Sequence, residues 1–282
     1  MYIGLDLGTS SLKAILIGTD QRILAEHAVP LTVSRPRDGW SEQDPNQWFA
    51  ALDTAMKALG AAYDLSAVRG IGLAGHMHGA TLLDSGDNVL RPCILWNDTR
   101  AADEARALDS DPQFRELSGN IVFAGFTAPK VVWVKNNEPE HFSKLAKVLL
   151  PKDYLRLLLT GEHVAEMSDA AGTSWLDVAK RDWSDALLSA CDLTRDQMPR
   201  LVEGSESSGT VKDILAQDWG LPKGVVVAGG GGDNAASAIG AGVVSKGDAF
   251  VPLGTSGVLF AAADAYQPDA VRAVHTFCHA LP

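Results

Sequence analysis

Two short turns of nearly identical sequence carry the residue types that bind phosphate in proteins. Residues 7–11 read LGTSS and residues 253–257 read LGTSG. A turn built from Gly, Thr and Ser exposes backbone N–H groups and hydroxyls at one place, which attracts anions. A single copy would be better explained by an ordinary tight hairpin, but the repeat and the preceding Asp6 favour a phosphate site. The predicted phosphate-binding residues are Gly8, Thr9, Ser10, Ser11, Lys13, Gly254, Thr255 and Ser256.

An acidic residue stands directly before the first of these turns. Asp6 could ligate a Mg²⁺ ion, directly or through water, because this ion takes oxygen ligands and accompanies phosphates. Lys13, two residues past Ser11, could reach a phosphate as a point charge. The P-loop pattern G-x-x-x-x-G-K-[ST] is absent, so the two turns are the candidates for holding a polyphosphate.

A run of four glycines at 229–232 leads into Asp233 and a stretch of small residues that predicts a helix. An aspartate at a helix start is commonly an N-cap, and it could instead accept a proton in catalysis. Gly230, Gly232 and Ala235 also match the dinucleotide pattern G-x-G-x-x-A. That pattern requires an acid about 20 residues further on, where residues 251–253 read VPL. The sequence therefore does not predict a dinucleotide-binding site at the glycine run.

The elements around these motifs predict a protein of mixed α and β structure. Residues 2–6, 12–18 and 22–31 form three closely spaced strands, which we expect to pair antiparallel. Asp44 and Pro45 mark the start of a helix that we expect to end at Gly60. Further strands are predicted at 68–75, 80–84 and 89–96, a helix at 184–192, a strand at 224–230 and a hairpin at 248–262. Segments following Thr99, near Pro139 and at 151–161 should be helical.

The composition of the 282 residues excludes several classes of protein. The net charge is −11 and no Lys/Arg cluster is present, so a nucleic-acid partner is not expected. No apolar stretch is long enough to predict a membrane span. The three cysteines are far apart, which favours a cytoplasmic protein without disulfides. His275, Cys278 and His279 have ligand-like spacing but lack a fourth ligand, so zinc binding is not predicted.

The two turns, together with the glycine run that ends in Asp233, resemble the FGGY carbohydrate kinases. The resemblance extends over essentially the whole chain, through the stretches 75–84, 90–100, 125–130, 149–162, 167–184 and 273–282. It implies an α/β fold of the actin/hexokinase/Hsp70 (ribonuclease H-like) type, in which helices flank a mixed sheet. It also implies two domains, with ATP and sugar bound in the cleft between them.

The same resemblance implies a reaction and the residues that carry it. The reaction is transfer of the γ-phosphoryl group of ATP to the 5-hydroxyl of D-xylulose, with Mg²⁺. Asp233 corresponds to the catalytic base, Asp6 to the acid near Mg²⁺ and the phosphates, Met77 and His78 to the sugar-contacting pair, and Asn234 to a second polar contact. Trp96 and Asp98, at a strand end, are further candidates for lining the site, although Asp98 could instead cap the next helix. The alternatives are a kinase for another ketose or polyol, and a nucleotide-switched binding protein of the actin/Hsp70 type without catalysis.

The position of the second turn bears on domain organisation. If each turn opens a domain, residues 1–245 form the N-terminal kinase domain and residues 246–282 the opening hairpin of a second domain. The natural protein is then expected to be longer, and the chain alone to be inactive. Apolar surface where the second domain would pack should favour association, with a homodimer as the expected form.

Overall fold

The computed structural model describes residues 1–253 and 257–282, so the predicted phosphate-binding residues Gly254, Thr255 and Ser256 lie outside the described residues. The strands are β1 (Tyr2–Leu7), β2 (Ser11–Ile17), β3 (Ile23–Pro30), β4 (Glu42–Gln43), β5 (Gly70–Gly75), β6 (Thr81–Leu83), β7 (Cys93–Ile94), β8 (Lys147–Leu149), β9 (Val164–Glu166), β10 (Leu176–Asp177), β11 (Asp182–Trp183), β12 (Arg200–Val202), β13 (Ser207–Thr210), β14 (Val226–Ala228), β15 (Gly231–Gly232), β16 (Ala249–Phe250) and β17 (Phe260–Ala261).

Helices alternate with these strands along the chain. The α-helices are α1 (Asn46–Ala62), α2 (Ala102–Asp109), α3 (Pro112–Ser118), α4 (Thr127–Asn137), α5 (Pro139–Phe142), α6 (Pro151–Thr160), α7 (Met167–Ala170), α8 (Asp185–Ser189), α9 (Asp213–Trp219) and α10 (Asp233–Gly240). Short 3₁₀ turns span Ala171–Thr173, Arg195–Gln197 and Ala270–Arg272. Within residues 1–253 and 257–282, no helix combines the length and apolar character needed to cross a membrane.

The main sheet is mixed, and its first half is the predicted antiparallel meander. Strands run in the order β13-β14-β5-β1-β2-β3, and β15 also pairs with β5. β1 to β3 are antiparallel neighbours, whereas β1, β14 and β15 all lie parallel to β5. The mixed sheet flanked by helices confirms the fold class expected from the resemblance.

The first core lies between this sheet and helix α1. Alternate residues of β1 (Ile3, Leu5 and Leu7) are buried, as strand periodicity requires. They pack with Trp48 and Met56, which lie on the buried face of α1. A second core surrounds the short helices of the middle of the chain and contains Phe114, Val131, Trp175 and Trp183.

Both predicted ends of helix α1 need correction. Pro45 occupies the N-cap position, and Asp44 instead accepts a hydrogen bond from the Asn46 N–H at 3.0 Å. The helix also passes through Gly60 and ends at Ala62. A glycine ends a helix when it adopts a left-handed conformation, as Gly119 and Gly161 do after α3 and α6; Gly60 does not.

The last part of the chain forms a hairpin and then returns to the main body. β16 and β17 pair antiparallel, which confirms the predicted hairpin in its described strands. Further along, the Tyr266 hydroxyl donates to the Glu116 carbonyl at 2.8 Å. The Asn120 side chain bonds the Thr276 backbone at both its N–H (2.8 Å) and its carbonyl (2.9 Å). The segment from Tyr266 onward therefore lies against helix α3 and the residues that follow it.

The glycine run passes too close to neighbouring backbone for side chains. A Cβ on Gly229 would lie 2.2 Å from the Glu203 carbonyl oxygen, and one on Gly230 would lie 2.0 Å from that of Leu73. Gly230 also has φ of +80°, a left-handed conformation that other residues avoid. Gly229 and Gly230 are therefore glycine because the chain between β14 and β15 passes against the backbone of Glu203 and Leu73.

We expect Gly230→Ala to destabilise the fold by more than about 2 kcal/mol, because Leu73 and its strand would have to move. Gly240→Ala in the same motif is the matched control, since a Cβ there meets nothing within 4 Å. That control should change stability by less than about 1 kcal/mol. Urea denaturation of the two variants measures both effects. Equal stabilities would contradict the close-approach explanation.

Candidate active site

Three segments of the site leave the same edge of the main sheet side by side. Leu7 of β1 pairs with Gly75 of β5, and Gly75 pairs with Gly232 of β15, all in parallel register. Because parallel strands end at one edge, the residues that follow them must be neighbours. These are the turn 8–11, residues 76–79 and the start of α10. The sheet register thus brings together residues that are far apart in the sequence.

The first predicted phosphate turn retains free backbone donors. The Gly8 N–H is used inside the turn, where it donates to the Ser11 carbonyl at 3.0 Å. The carbonyls of Thr9 and Ser10 accept from the Gln43 side chain and the Leu31 N–H, both at 2.9 Å. Within the described chain, the N–H groups of Thr9 and Ser10 donate to nothing. They remain available to an anion, as the sequence predicts.

Asp6 and Lys13 lie opposite each other on β1 and β2, on the exposed face of the sheet. Crowding by protein atoms raises the pKa of the Asp6 carboxyl, although much of the side chain is exposed, and the charge of Lys13 lowers it. The opposing effects leave Asp6 as an accessible carboxylate beside the phosphate turn.

Asp233 is the first residue of α10 and has a free carboxylate oxygen. Gly232 occupies the N-cap position, so the alternative of Asp233 as a helix cap is wrong. Its Oδ1 accepts from the Asn234 N–H at 2.7 Å and from the Asn234 amide at 3.0 Å. Within the described residues, Oδ2 accepts no hydrogen bond. Burial and, to a lesser degree, the charge of Asp6 raise the pKa of Asp233, and the Asn234 bonds lower it. Asn234 thus orients Asp233.

His78 is held in one tautomer and one orientation. Its Nδ1 lies 2.8 Å from the Gly172 carbonyl oxygen, and a carbonyl can only accept, so Nδ1 carries the proton and Nε2 is an acceptor. The ring stacks on Phe126 with a centroid separation of 4.7 Å. Burial lowers the pKa of His78 to about 3. The imidazole is therefore neutral at physiological pH and presents Nε2 as its free atom.

Met77 fills the space between two backbone segments of the site. A Cβ on Gly232 would lie 2.9 Å from the Met77 Sδ, and one on Gly172 would lie 3.0 Å from the Met77 Cε. Only 6% of Met77 is exposed. Met77 therefore packs beneath the site and can offer a ligand a small apolar contact at most.

Trp96 and Asp98, both predicted to line the site, have different surroundings. Trp96 is 47% exposed, and its indole N–H donates to the Thr9 hydroxyl at 3.0 Å, which places it beside the phosphate turn. Asp98 is 1% exposed. Its oxygens accept from the Ser41 N–H at 2.6 Å and from the Arg100 side chain at 2.7 and 2.9 Å.

The placement of Asp98 corrects both of its predicted roles. Its carboxylate is occupied by a buried ion pair and is not free to line a cleft. It also cannot cap the following helix, because α2 begins at Ala102. The Asp-x-Arg spacing was the available signal for this ion pair in the sequence.

A buried charged cluster beneath the glycine run was missed as a functional feature. Asp153 and Asp169, which belong to this cluster, are fully buried. Arg156 of α6 donates to the carbonyls of Ala228 and Gly229 at 2.7 and 2.6 Å. The Gly232 N–H donates to the Ser168 hydroxyl at 3.0 Å. These bonds fix the backbone that carries Asp233.

Of the two C-terminal histidines, His275 lies among the aromatic rings around His78, and His279 has other neighbours. The His275 ring stacks on Phe277 at 5.4 Å with an interplanar angle of 9°, and His279 Nε2 lies 3.1 Å from the Val243 carbonyl oxygen. In the part of the chain that the structure describes, no three His, Cys, Asp or Glu side chains form a group able to hold a metal ion.

The fold and the site define a protein of the actin and hexokinase type, in which turns at the ends of sheet strands hold phosphate. A model of the FGGY family of carbohydrate kinases, N-terminal domain, matches residues 1–240. The chain therefore belongs to the FGGY family of carbohydrate kinases.

Individual relatives agree with this assignment. A xylulose kinase from Escherichia coli (strain K12) is 57% identical over the whole chain, which spans 58% of that protein. A crystal structure described as a xyloylose kinase from Brucella ovis superposes with a TM-score of 0.99 at 61% identity, over 100% of this chain and 58% of that one. A xylulose kinase from Rhodospirillum rubrum gives a TM-score of 0.94 at 31% identity, over 99% and 58% of the two chains.

We expect the His78 ring to stay neutral from pH 5 to pH 8, protonated on Nδ1, because burial lowers its pKa to about 3. Two-dimensional ¹H–¹⁵N NMR of labelled imidazoles should show one protonated and one unprotonated nitrogen that do not shift across this range. The spectrum of His78→Gln assigns the signals. Titration of the His78 ring near pH 6.5, or a proton on Nε2, would contradict the assignment of Nε2 as an acceptor.

Proposed function

We propose that this chain is part of an ATP-dependent kinase that converts D-xylulose to D-xylulose 5-phosphate. The observation that carries the proposal is the meeting of the Asp233 carboxylate, the His78 acceptor and the phosphate turn at one sheet edge. The printed names of the relatives at 57% and 61% identity support this substrate. Because the chain spans 58% of their length, the reaction is assigned to the natural protein and not to these 282 residues alone.

In this proposal, Asp233 accepts the proton of the 5-hydroxyl. The hydroxyl oxygen forms a bond to the γ-phosphorus as the bond from phosphorus to the bridging oxygen of ADP breaks, and the proton moves to the free Oδ2. Phosphoryl transfer depends mainly on positioning, with one residue accepting the proton. The raised pKa of Asp233 makes it a stronger base than a solvated aspartate while leaving it open to ionisation.

The sugar is held by the groups around His78. The Nε2 atom accepts a hydrogen bond from a sugar hydroxyl, and the amide of Asn234 provides a second polar contact. The exposed Trp96 forms an apolar wall, and the buried Met77 adds a small apolar contact at most. Such a mixture of apolar walls and a few fixed polar groups is typical of small-molecule sites.

The phosphates of ATP are held by the free N–H groups of Thr9 and Ser10, the hydroxyls of residues 9–11 and Lys13. Gly254, Thr255 and Ser256 supply the second grip in this proposal. Asp6 fits a Mg²⁺ site, since it is an accessible carboxylate beside the phosphate turn and this ion needs few protein ligands. Asp6 would hold this ion, which would supply positive charge against the negative charge that develops on the phosphates.

The domain assignment remains a proposal, with an N-terminal domain over residues 1–245 and the opening hairpin of a second domain over 246–282. The match of the N-terminal family model to residues 1–240 supports it. Exposed apolar residues on the hairpin region, among them Val251, Leu253 and Leu259, are consistent with a surface covered by further protein. Cytoplasmic location, a homodimer and the lack of nucleic-acid or membrane partners remain predictions.

An ATP-coupled assay of the natural full-length protein tests the substrate. D-Xylulose should give the highest kcat/KM in a panel with D-ribulose, D-fructose and glycerol. Preference for another ketose or for glycerol would identify a different kinase of the family. ATP binding without turnover of any sugar would favour the nucleotide-switched alternative.

Asp233→Asn should lower kcat by about 10²- to 10⁴-fold, the usual contribution of a general base, and change the sugar KM much less. Asp213→Asn is the control, because this exposed carboxylate pairs with Lys223 away from the site. The base must be ionised, so kcat of the wild type should fall as pH drops through the raised pKa of Asp233. Near-normal kcat in Asp233→Asn would contradict the assignment of the base.

A further inference from the structure

Lys130 is a buried lysine whose amino group forms no ion pair in the described structure. It lies in the first turn of α4 and is 0% exposed. Among residues 1–253 and 257–282, the neighbouring acid Asp98 is paired with Arg100 instead. Its hydrogen bond goes to the carbonyl oxygen of His78, at 2.9 Å. A lone buried charge costs free energy, so its presence needs an explanation other than stability.

The acceptor of this bond belongs to a strained turn. His78 has φ of +69°, a left-handed conformation that costs of order 1–3 kcal/mol for residues other than glycine and persists only where the surroundings enforce it. The Gly79 N–H donates to the Met77 carbonyl at 2.9 Å and closes the turn around His78. The Thr127 hydroxyl, also in α4, donates to the same His78 carbonyl at 3.2 Å. Lys130 and Thr127 thus hold the strained residue from one side.

The remaining contacts of His78 complete the restraint. Its Nδ1 is fixed by the Gly172 carbonyl and its ring face by Phe126, which directly precedes α4. Without the two bonds to its carbonyl, the turn could relax to a right-handed conformation and swing Nε2 away. One helix therefore provides both the stacking residue and the donors that fix the His78 backbone.

We propose that Lys130 is a positioning residue that sets the affinity for the sugar by holding His78, an inference that rests on the proposed function. Lys130 is fully buried and bonds the backbone carbonyl of His78, not its ring, so Lys130 acts through His78 and does not contact the reacting atoms. Its loss should weaken sugar binding and leave phosphoryl transfer from bound substrates nearly unchanged.

The test compares Lys130→Met with wild type in the natural full-length protein, assayed with D-xylulose and ATP. The sugar KM should rise by about 10- to 100-fold, the size expected when a charge-assisted hydrogen bond is lost. The ATP KM and kcat should change less than about threefold. Lys147→Met is the matched control, because Lys147 also donates only to backbone carbonyls, those of Asp196 and Met198. It is the first residue of β8 and pairs with Leu83, the last residue of β6.

Thermal unfolding separates positioning from a structural role. Lys130→Met should be as stable as wild type or more stable, because a buried unpaired charge is removed. Burial lowers the pKa of Lys130 to about 7, with the charges of Cys93 and Asp98 raising it and that of Arg100 lowering it. The neighbouring His76 and His78 have pKa values of about 4 and 3 and stay neutral there.

The pH dependence of stability follows from this lowered pKa. Between about pH 7 and pH 10.5 the unfolded chain binds the Lys130 proton and the folded chain does not, so wild-type stability gains with rising pH. Relative to Lys130→Met, the wild type should therefore become more stable from pH 7 to pH 9. An unchanged difference would mean that Lys130 is not buried in this way and would overturn the inference.

Thr127→Val keeps the proposal testable if Lys130→Met does not fold. It removes the other donor to the His78 carbonyl and should raise the sugar KM by a smaller factor, about 2- to 10-fold. If the wild type is active and the sugar KM is unchanged in Lys130→Met, this inference is overturned and the proposed function is not. Where Lys130→Met does not fold, an unchanged sugar KM in Thr127→Val has the same meaning. A drop in stability and kcat without a change in sugar KM would show a merely structural lysine. A wild type that phosphorylates no sugar overturns the proposed function, and this inference falls with it.

Discussion

The position of Asp233 depends on the polar bonds that hold the glycine run in front of it. Glycines have no side chains to pack, so only hydrogen bonds to their backbone can fix them. Arg156 binds the carbonyls of Ala228 and Gly229, and Ser168 accepts from the Gly232 N–H. The same close approach that excludes side chains from the run brings these donors and acceptors within reach. The glycine run and the buried charged cluster are therefore both needed to hold Asp233 in its position.

The charges in this cluster do not cancel. Lys152 and Arg156 face Asp153, Glu166 and Asp169, all fully buried. Burial raises the pKa of Asp169 well above its usual value, the neighbouring carboxylates add to the shift, and Lys152 opposes it. The three acids outweigh burial at Lys152 and raise its pKa. Both shifts are the response of a buried cluster in which acids outnumber bases.

Sequence patterns predicted the strands and the turns better than the surroundings of single side chains. The meander of β1 to β3 and the start of α10 at Asp233 follow from alternation, spacing and glycine, all of which act locally. The end of α1 was misplaced because Gly60 can serve as helix interior or as terminus, depending on φ. The burial of the Asp98–Arg100 pair against Ser41 and Glu42, and the contact of Lys130 with His78, depend on segments that are distant in the sequence. The site residues themselves came from the family resemblance, and the structure adds how they are held.

Under the proposed function, a chain with a net charge of −11 holds the anionic phosphates of ATP without a general electrostatic attraction. Backbone N–H groups meet this need because they attract an anion while adding no net charge. Their use requires a rigid turn, and the carbonyls of Thr9 and Ser10 are tied to Gln43 and Leu31 while Trp96 binds the Thr9 hydroxyl. Trp96 is also the exposed aromatic wall proposed for the sugar. The Trp96 side chain thus connects the phosphate turn to the proposed sugar site. A shift of the turn would therefore move Trp96, and a shift of Trp96 would move the turn.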